Sequence, residues 1–331
     1  MRVTSNSYAN PYINSLNTIQ ESKYKNEIRV NTGQRNLSLT DSPKDVVNTK
    51  LVTEMMERNK KYLNNIQESY SEMQAANNYM ETLQSKIQTI RQTAIDSTQT
   101  GNMGNLETLA VDIRGMIDDV IRDANADHNG EFLFSGTKTH PKSLIDENGV
   151  THKYPFELIQ GEPDSKNPSG LSVKFFGNFK DRSINKDSAT TEVINTTADK
   201  MFGANGTEAI EALVNLYNVM AFREDGTART KTDYYTKSDV ARLDVAQQKL
   251  ADSSDLISKA NGVNGSRTNR IMAVNDQLTE ENLRLKNIIS NYSDTNYAET
   301  MIQLTKDQTA LNYALKIGAQ IHSQSLFDFL G

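Results

Sequence analysis

The densest run of oxygen-bearing side chains in this 331-residue chain is Asp123, Asn125, Asp127 and Asn129, in alternation and followed by Gly130. Alternating oxygen ligands ahead of a glycine are the pattern by which calcium loops surround a hard cation. The spacing fails in both registers. Counted from Asp123, the sixth-position glycine is His128; counted from Asn125, the closing glutamate at the twelfth position is Gly136. The segment reads instead as a helix-ending turn. His128, His140, His152 and His322 form no HxxxH or HExxH pair, and Gly101-Asn-Met-Gly104 lacks the lysine and third glycine of a phosphate loop. No GxSxG elbow supports a nucleophilic serine. With no cysteine there is neither a disulfide framework nor a thiolate site. The expectation is a non-enzymatic chain with no cofactor and no metal.

Only 36% of residues are hydrophobic, and mean hydropathy is −0.63, so apolar residues are confined to seams instead of forming the runs of a buried parallel sheet. A net charge of −6 without a Lys/Arg cluster argues against nucleic acid as the main partner. Nothing approaches 18 consecutive apolar residues, so no membrane insertion is expected, and the first twenty residues lack the apolar core of a secretory signal. These features predict a chain that is cytoplasmic or exported without a cleaved signal.

The seams predict the architecture. Val52, Asn59, Ile66, Met73, Met80, Ile87 and Ala94 lie seven apart, with Met55, Tyr62, Ser69, Ala76, Leu83 and Ile90 three residues after the first six, as in a heptad a/d pattern. The methionines could line an adaptable peptide groove, but at a and d positions they read as core. A second seam carries Ile271, Val274, Leu278, Leu285, Ile288 and Tyr292, then Met301, Leu304, Leu311 and Leu315. Thr40-Asp41-Ser42-Pro43 reads as a helix start. The helix from there to about Ser97 is expected to run roughly 80 Å. The glycines at 101 and 104 turn it into a second helix from Leu106 to Ala124.

A short strand is expected at Phe132–Phe134, ending at Gly136; four of the six prolines and six glycines then fall between Thr137 and Gly206, with candidate strands at Tyr154–Ile159, Leu171–Phe176 and Thr190–Thr196. A helix follows at Thr207–Phe222. Helical periodicity resumes near Asp239 and runs to the end, with a weak point at Asn261-Gly-Val-Asn-Gly265. The predicted fold is mainly α with a β-rich insertion: an elongated rod of long antiparallel coiled-coil and bundle helices built from both termini. The expected domains are 1–42 with 293–331 (terminal coiled coil), 43–136 with 207–292 (helical bundle) and 137–206 (β-rich, outward-facing).

Three segments resemble one family. Met1-Arg-Val-Thr4 and Asn31-Thr-Gly-Gln-Arg35 ahead of Thr40-Asp-Ser-Pro43 are similar to the N-terminal segment of bacterial flagellins and hook-associated proteins. Gly130-Glu-Phe-Leu-Phe-Ser-Gly136-Thr resembles the signature that sets the hook-associated protein 3 family, the hook–filament junction proteins, apart from flagellin. The Gln324–Leu330 ending resembles that of the same family. The middle, 137–230, matches only loosely, chiefly at Gly177-Asn178 and Thr196–Gly203.

The resemblance implies a structural subunit of the bacterial flagellum at the hook–filament junction, extracellular and exported without a cleaved signal peptide. Implied partners are further copies in a ring, the adjacent hook-associated protein 1, flagellin and a flagellar export chaperone. Subunit packing is expected at Ile13, Leu16 and Ile19, at Leu304, Leu311 and Leu315, and at Leu326 and Phe327 in the tail. The polar outer parts of the seams are expected to order on assembly, and the inner parts to be folded already in the free subunit. Flagellin itself, a cytoplasmic coiled-coil adaptor or chaperone, and a hydrolase built on the β insertion are the alternatives.

Overall fold

The computed structural model describes residues 6–99, 105–230 and 233–330, with side chains described from residue 10 to residue 320. The Gly101/Gly104 turn and the Met1–Thr4 motif lie outside the described residues. Helix α1 spans Asn6–Thr32, α2 Pro43–Ser97 and α3 Leu106–Ala124. The short strands are β1 (Asp127–His128), β2 (Glu131–Phe132), β3 (Phe156–Gln160), β4 (Leu171–Phe175), β5 (Ser183–Asn185) and β6 (Thr191–Val193). Helices α4 (Asp199–Phe202), α5 (Glu208–Ala221), α6 (Lys237–Ser293) and α7 (Tyr297–Leu330) complete the chain. The mainly α architecture with a strand-bearing insert is the expected one.

The chain divides into two compact units, residues 1–61 with 278–331 and residues 62–277. In the terminal unit α1 and α7 run antiparallel. The Tyr12 hydroxyl donates to the Ala314 carbonyl at 2.9 Å, and the Thr295 amide donates to the Gly33 carbonyl at 2.8 Å. Pro43 stands at the first position of α2, where its missing N–H costs nothing. Ser42 caps that end: its carbonyl accepts the Val46 amide and its hydroxyl donates to Asp45 at 2.8 Å. Arg35 ties the corner, pairing with Asp45 at 3.0 Å and donating to the Tyr292 carbonyl at 2.8 Å.

The central unit holds one continuous apolar core. Along α2 the seam from Ile66 through Met73, Ala76, Met80, Leu83, Ile87 and Ile90 to Ala94 is buried. From Ala76 onward it packs with Ile113, Ile117 and Val120 of α3, Leu213 and Leu216 of α5, and Leu243, Leu250 and Ile257 of α6. Three antiparallel two-stranded pairs, β1–β2, β3–β4 and β5–β6, lie in this unit.

Two expectations are corrected. The strand at Phe132–Phe134 is only the two-residue β2, and Phe134 is buried in a turn. The weak point at 261–265 is uninterrupted helix in α6. There Asn264 is fully buried, and its amide donates to the Met73 carbonyl at 2.9 Å and to Asn77 at 2.7 Å. Gly262 and Gly265 face open space. Tertiary bonding of one residue overrides the low helix propensity of its neighbours, a cost of about 1 kcal/mol per glycine.

Candidate assembly surfaces

Among the described side chains of the terminal unit, the only buried apolar residues are Leu278 and Leu285. Four polar residues are buried there as well: Asn26, Thr295, Thr300 and Asp307. The Asp307 side chain, on α7, faces α1 with 7% exposure, and among the described residues it has no ion-pair partner. Its carboxylate accepts Ser22 Oγ at 2.7 Å, Asn26 Nδ2 at 2.8 Å and Gln303 Nε2 at 2.9 Å. Three neutral donors occupy most of the carboxylate's roughly four acceptor sites, so the group is held at a defined level along the pair, as a buried polar residue fixes register in a coiled coil.

The residues expected to pack subunits divide unevenly. Leu16, Ile19, Leu304 and Leu311 are partly buried. Ile13 and Leu315 are 49% and 51% exposed, and Tyr24, Met301, Ile302, Tyr313 and Ile317 are exposed with them. Leu326 and Phe327 lie on the backbone of α7, but their side chains are outside the described residues. Each large aliphatic side chain moved from exposed to buried contributes about 1.5–3 kcal/mol.

The Gly130–Gly136 segment is a tightly fixed turn. Gly130 and Gly136 adopt φ of 82° and 74°, and Asn129 one of 53°. A Cβ on Gly136 would stand 2.1 Å from the Asn178 carbonyl oxygen. Asn178 closes the turn: its amide donates to Ser135 O at 3.0 Å, its carboxamide oxygen accepts the Thr137 amide at 3.0 Å, and its Nδ2 donates to Thr137 Oγ1 at 2.8 Å. The two loosely matched residues Gly177 and Asn178 thus serve the signature segment directly. Nothing in their local sequence pairs them with a site forty residues away.

The oxygen-rich run is spent on structure. Asp123 pairs with Lys86 at 2.5 Å, Asn125 bonds the backbone of Phe156, and Asp127 accepts the Gly130 amide at 3.1 Å. Among the described residues, no group of three or more His, Cys, Asp or Glu side chains could hold a metal ion, and no helix is long and apolar enough to cross a membrane. Arg182 pairs with Glu72 and, at 3.2 Å, with Glu131. Burial pushes the Glu72 carboxyl up despite the nearby guanidinium. Sequence reasoning had no signal for this pair, whose members lie 110 residues apart.

Residues 3–139 match the family model of the bacterial flagellin N-terminal helical region. The chain is 21% identical over 313 residues, 90% of each chain, to flagellar hook-associated protein 3 of Escherichia coli K12. Its fold is similar to that of a structure assigned as a flagellar hook-associated protein from Vibrio parahaemolyticus (TM-score 0.58, 17% identity, 77% of this chain and all of that one). It is likewise similar to flagellar hook associated protein-3 from Legionella pneumophila (TM-score 0.54, 10% identity, 73% of this chain and 98% of that one). With paired terminal helices behind these matches, the chain is similar over nine-tenths of its length to flagellar hook-associated protein 3, and its first 139 residues match the flagellin N-terminal helical region from residue 3.

Proposed function

We propose that the chain is a structural, non-enzymatic subunit of the extracellular bacterial flagellum that joins hook to filament, and that its terminal unit completes its folding on assembly. The observation that carries the mechanism is the poverty of the terminal core: two buried apolar residues among the described side chains, against an exposed series that includes Ile13, Met301, Ile302, Leu315 and Ile317. A helix pair with so little burial gains little over its ordering entropy when alone, and neighbouring copies supply the missing contact. The proposed neighbours are further copies in a ring, hook-associated protein 1 on one side and flagellin on the other, with an export chaperone on the apolar tail before assembly. The proposed domains remain 1–42 with 293–331, 43–136 with 207–292, and 137–206.

The test replaces the chromosomal copy with an Ile13→Asp/Leu315→Asp double variant. The expected cells keep their hooks and shed their filaments, while the purified variant unfolds in urea like the parent. Filaments that stay attached would refute the assembly role of these residues. Loss of the filament polymer itself would favour flagellin, and protein found only inside cells would favour the adaptor.

A further inference from the structure

Methionine supplies the only sulfur in this chain, which has no cysteine and no tryptophan, so its thioethers are the side chains that yield electrons most readily to an oxidant. The fold divides them sharply. Met73, Met80, Met201 and Met220 of the central unit are fully buried, and Met56, Met116 and Met272 are partly buried. Among the described methionines only Met55 and Met301 are exposed, at 46% and 48%, and both belong to the terminal unit.

Neither exposed thioether stands alone. Val47, Leu51 and Met55 lie four residues apart on α2, so they share one face of the helix, and all three are exposed. Tyr297 and Met301 have the same spacing on α7, with Ile302 next to Met301, and these three are exposed as well. Each sulfur thus sits in an apolar ridge that the described residues leave uncovered. An oxidant can reach it, and a polar oxygen added there alters the whole ridge.

We propose that Met55 and Met301 are oxidation sites through which a hydroperoxide makes the free subunit unable to assemble. The sulfur gives an electron pair to one oxygen of hydrogen peroxide; the O–O bond breaks, an S–O bond forms, and the other oxygen leaves as water with both protons. The thioether is oxidised to the sulfoxide and the peroxide is reduced. A sulfoxide is polar and accepts hydrogen bonds, so covering it with a neighbouring copy carries a desolvation cost that the thioether does not. The loss of assembly rests on neighbouring copies covering the terminal unit, as proposed for its function; the selective oxidation does not. The buried sulfurs of the central unit are shielded, and that unit keeps its core.

The experiment treats the purified full chain with hydrogen peroxide and maps methionine sulfoxide over time by mass spectrometry of its peptides. Oxidation of Met55 and Met301 is expected to run about tenfold or more ahead of that of Met73, Met80, Met201 and Met220; equal rates overturn the sites. The consequence is read in cells carrying Met55→Gln/Met301→Gln, a polar stand-in for the sulfoxide, or the oxidation-proof Met55→Leu/Met301→Leu. The Gln cells are expected to shed their filaments, while the purified Gln chain unfolds in urea like the parent, and the Leu cells to keep them. A pulse of peroxide during filament growth should then raise shedding severalfold in the parent and leave the Leu cells unchanged. Filaments kept by the Gln cells, or equal peroxide sensitivity of parent and Leu cells, overturn the proposal. Where the Gln chain is less stable than the parent, the peroxide comparison of parent and Leu cells decides alone. Filaments kept by the Ile13→Asp/Leu315→Asp cells refute the junction reading and leave the oxidation map standing; filaments shed by those cells but kept by the Gln cells overturn this inference alone.

Discussion

The central and terminal units of this chain bury opposite kinds of side chain. In the central unit the heptad seam of α2 is buried from Ile66 to Ala94, and from Ala76 onward it packs into one apolar core with α3, α5 and α6. In the terminal unit Val52 and Asn59 of α2 are only partly buried and Met55 of α2 and Ile288 of α6 are exposed, and the best-buried side chains between α1 and α7 are polar, Asn26 and Asp307. The heptad pattern is present in both. A seam is a statement about which residues want a partner, and it does not say whether the partner lies in the same chain.

The sharpest way to break this contrast is to truncate one seam residue from each unit. Ile87→Ala removes a fully buried side chain from the central core and is expected to cost about 2–5 kcal/mol in urea unfolding of the free chain. Leu315→Ala removes one already half in water, and its cost is expected to stay within about 0.5 kcal/mol. Equal costs would mean that the terminal unit is as well packed as the central one.

A smaller effect is expected at Asp307, which tests whether polar bonding holds the terminal pair. Asp307→Ala leaves Ser22, Asn26 and Gln303 without the carboxylate they share, a loss of about 1–3 kcal/mol for partners left unsatisfied. Trypsin should then cut sooner at Lys23 and Lys25, while fragments from the central unit persist. Unchanged cleavage would show that α1 is held by its sparse apolar contacts instead.

Much of the fold was legible because its signals are local and periodic. The start of α2 at Ser42-Pro43, its end at Ser97, and the strands near 156–160 and 171–175 follow from caps, heptads and alternation. What was not legible depends on a distant partner. Asn264 keeps α6 helical past two glycines only because Met73 and Asn77 stand opposite. Asn125, read as part of a turn, bonds a strand edge thirty-one residues away. Ile13 and Leu315 were legible as apolar stripes, but their half exposure was not, since a stripe looks alike whether its cover is internal or another subunit. Asp307 was invisible because an aspartate in a helix is usually a solvated one.

The smallest expected effect is a difference in the sign of acid response. Asp41, in the terminal unit, accepts the Leu37 amide at 2.8 Å and the Ser38 amide at 3.1 Å, and the Leu37 bond first of all holds its carboxyl below the usual range. A carboxyl lowered in the fold contributes stability that is present above its unfolded value and lost as pH falls through the folded one. Glu72, in the central unit, is raised by burial in spite of Arg182. Its contribution is fully present below the unfolded value and is lost as pH rises through the folded one, because desolvation outweighs the pairing. Asp41→Asn should therefore loosen the Leu37 and Ser38 amides in hydrogen exchange at pH 7 and match the parent in acid. Glu72→Gln, which resembles the protonated acid, should be at least as stable as the parent in urea at pH 7, with the difference closing as pH falls below about 4. If Glu72→Gln is instead the weaker protein at neutral pH and the gap closes in acid, the Arg182 pair stabilises the central unit. The two carboxyls would then respond to acid alike.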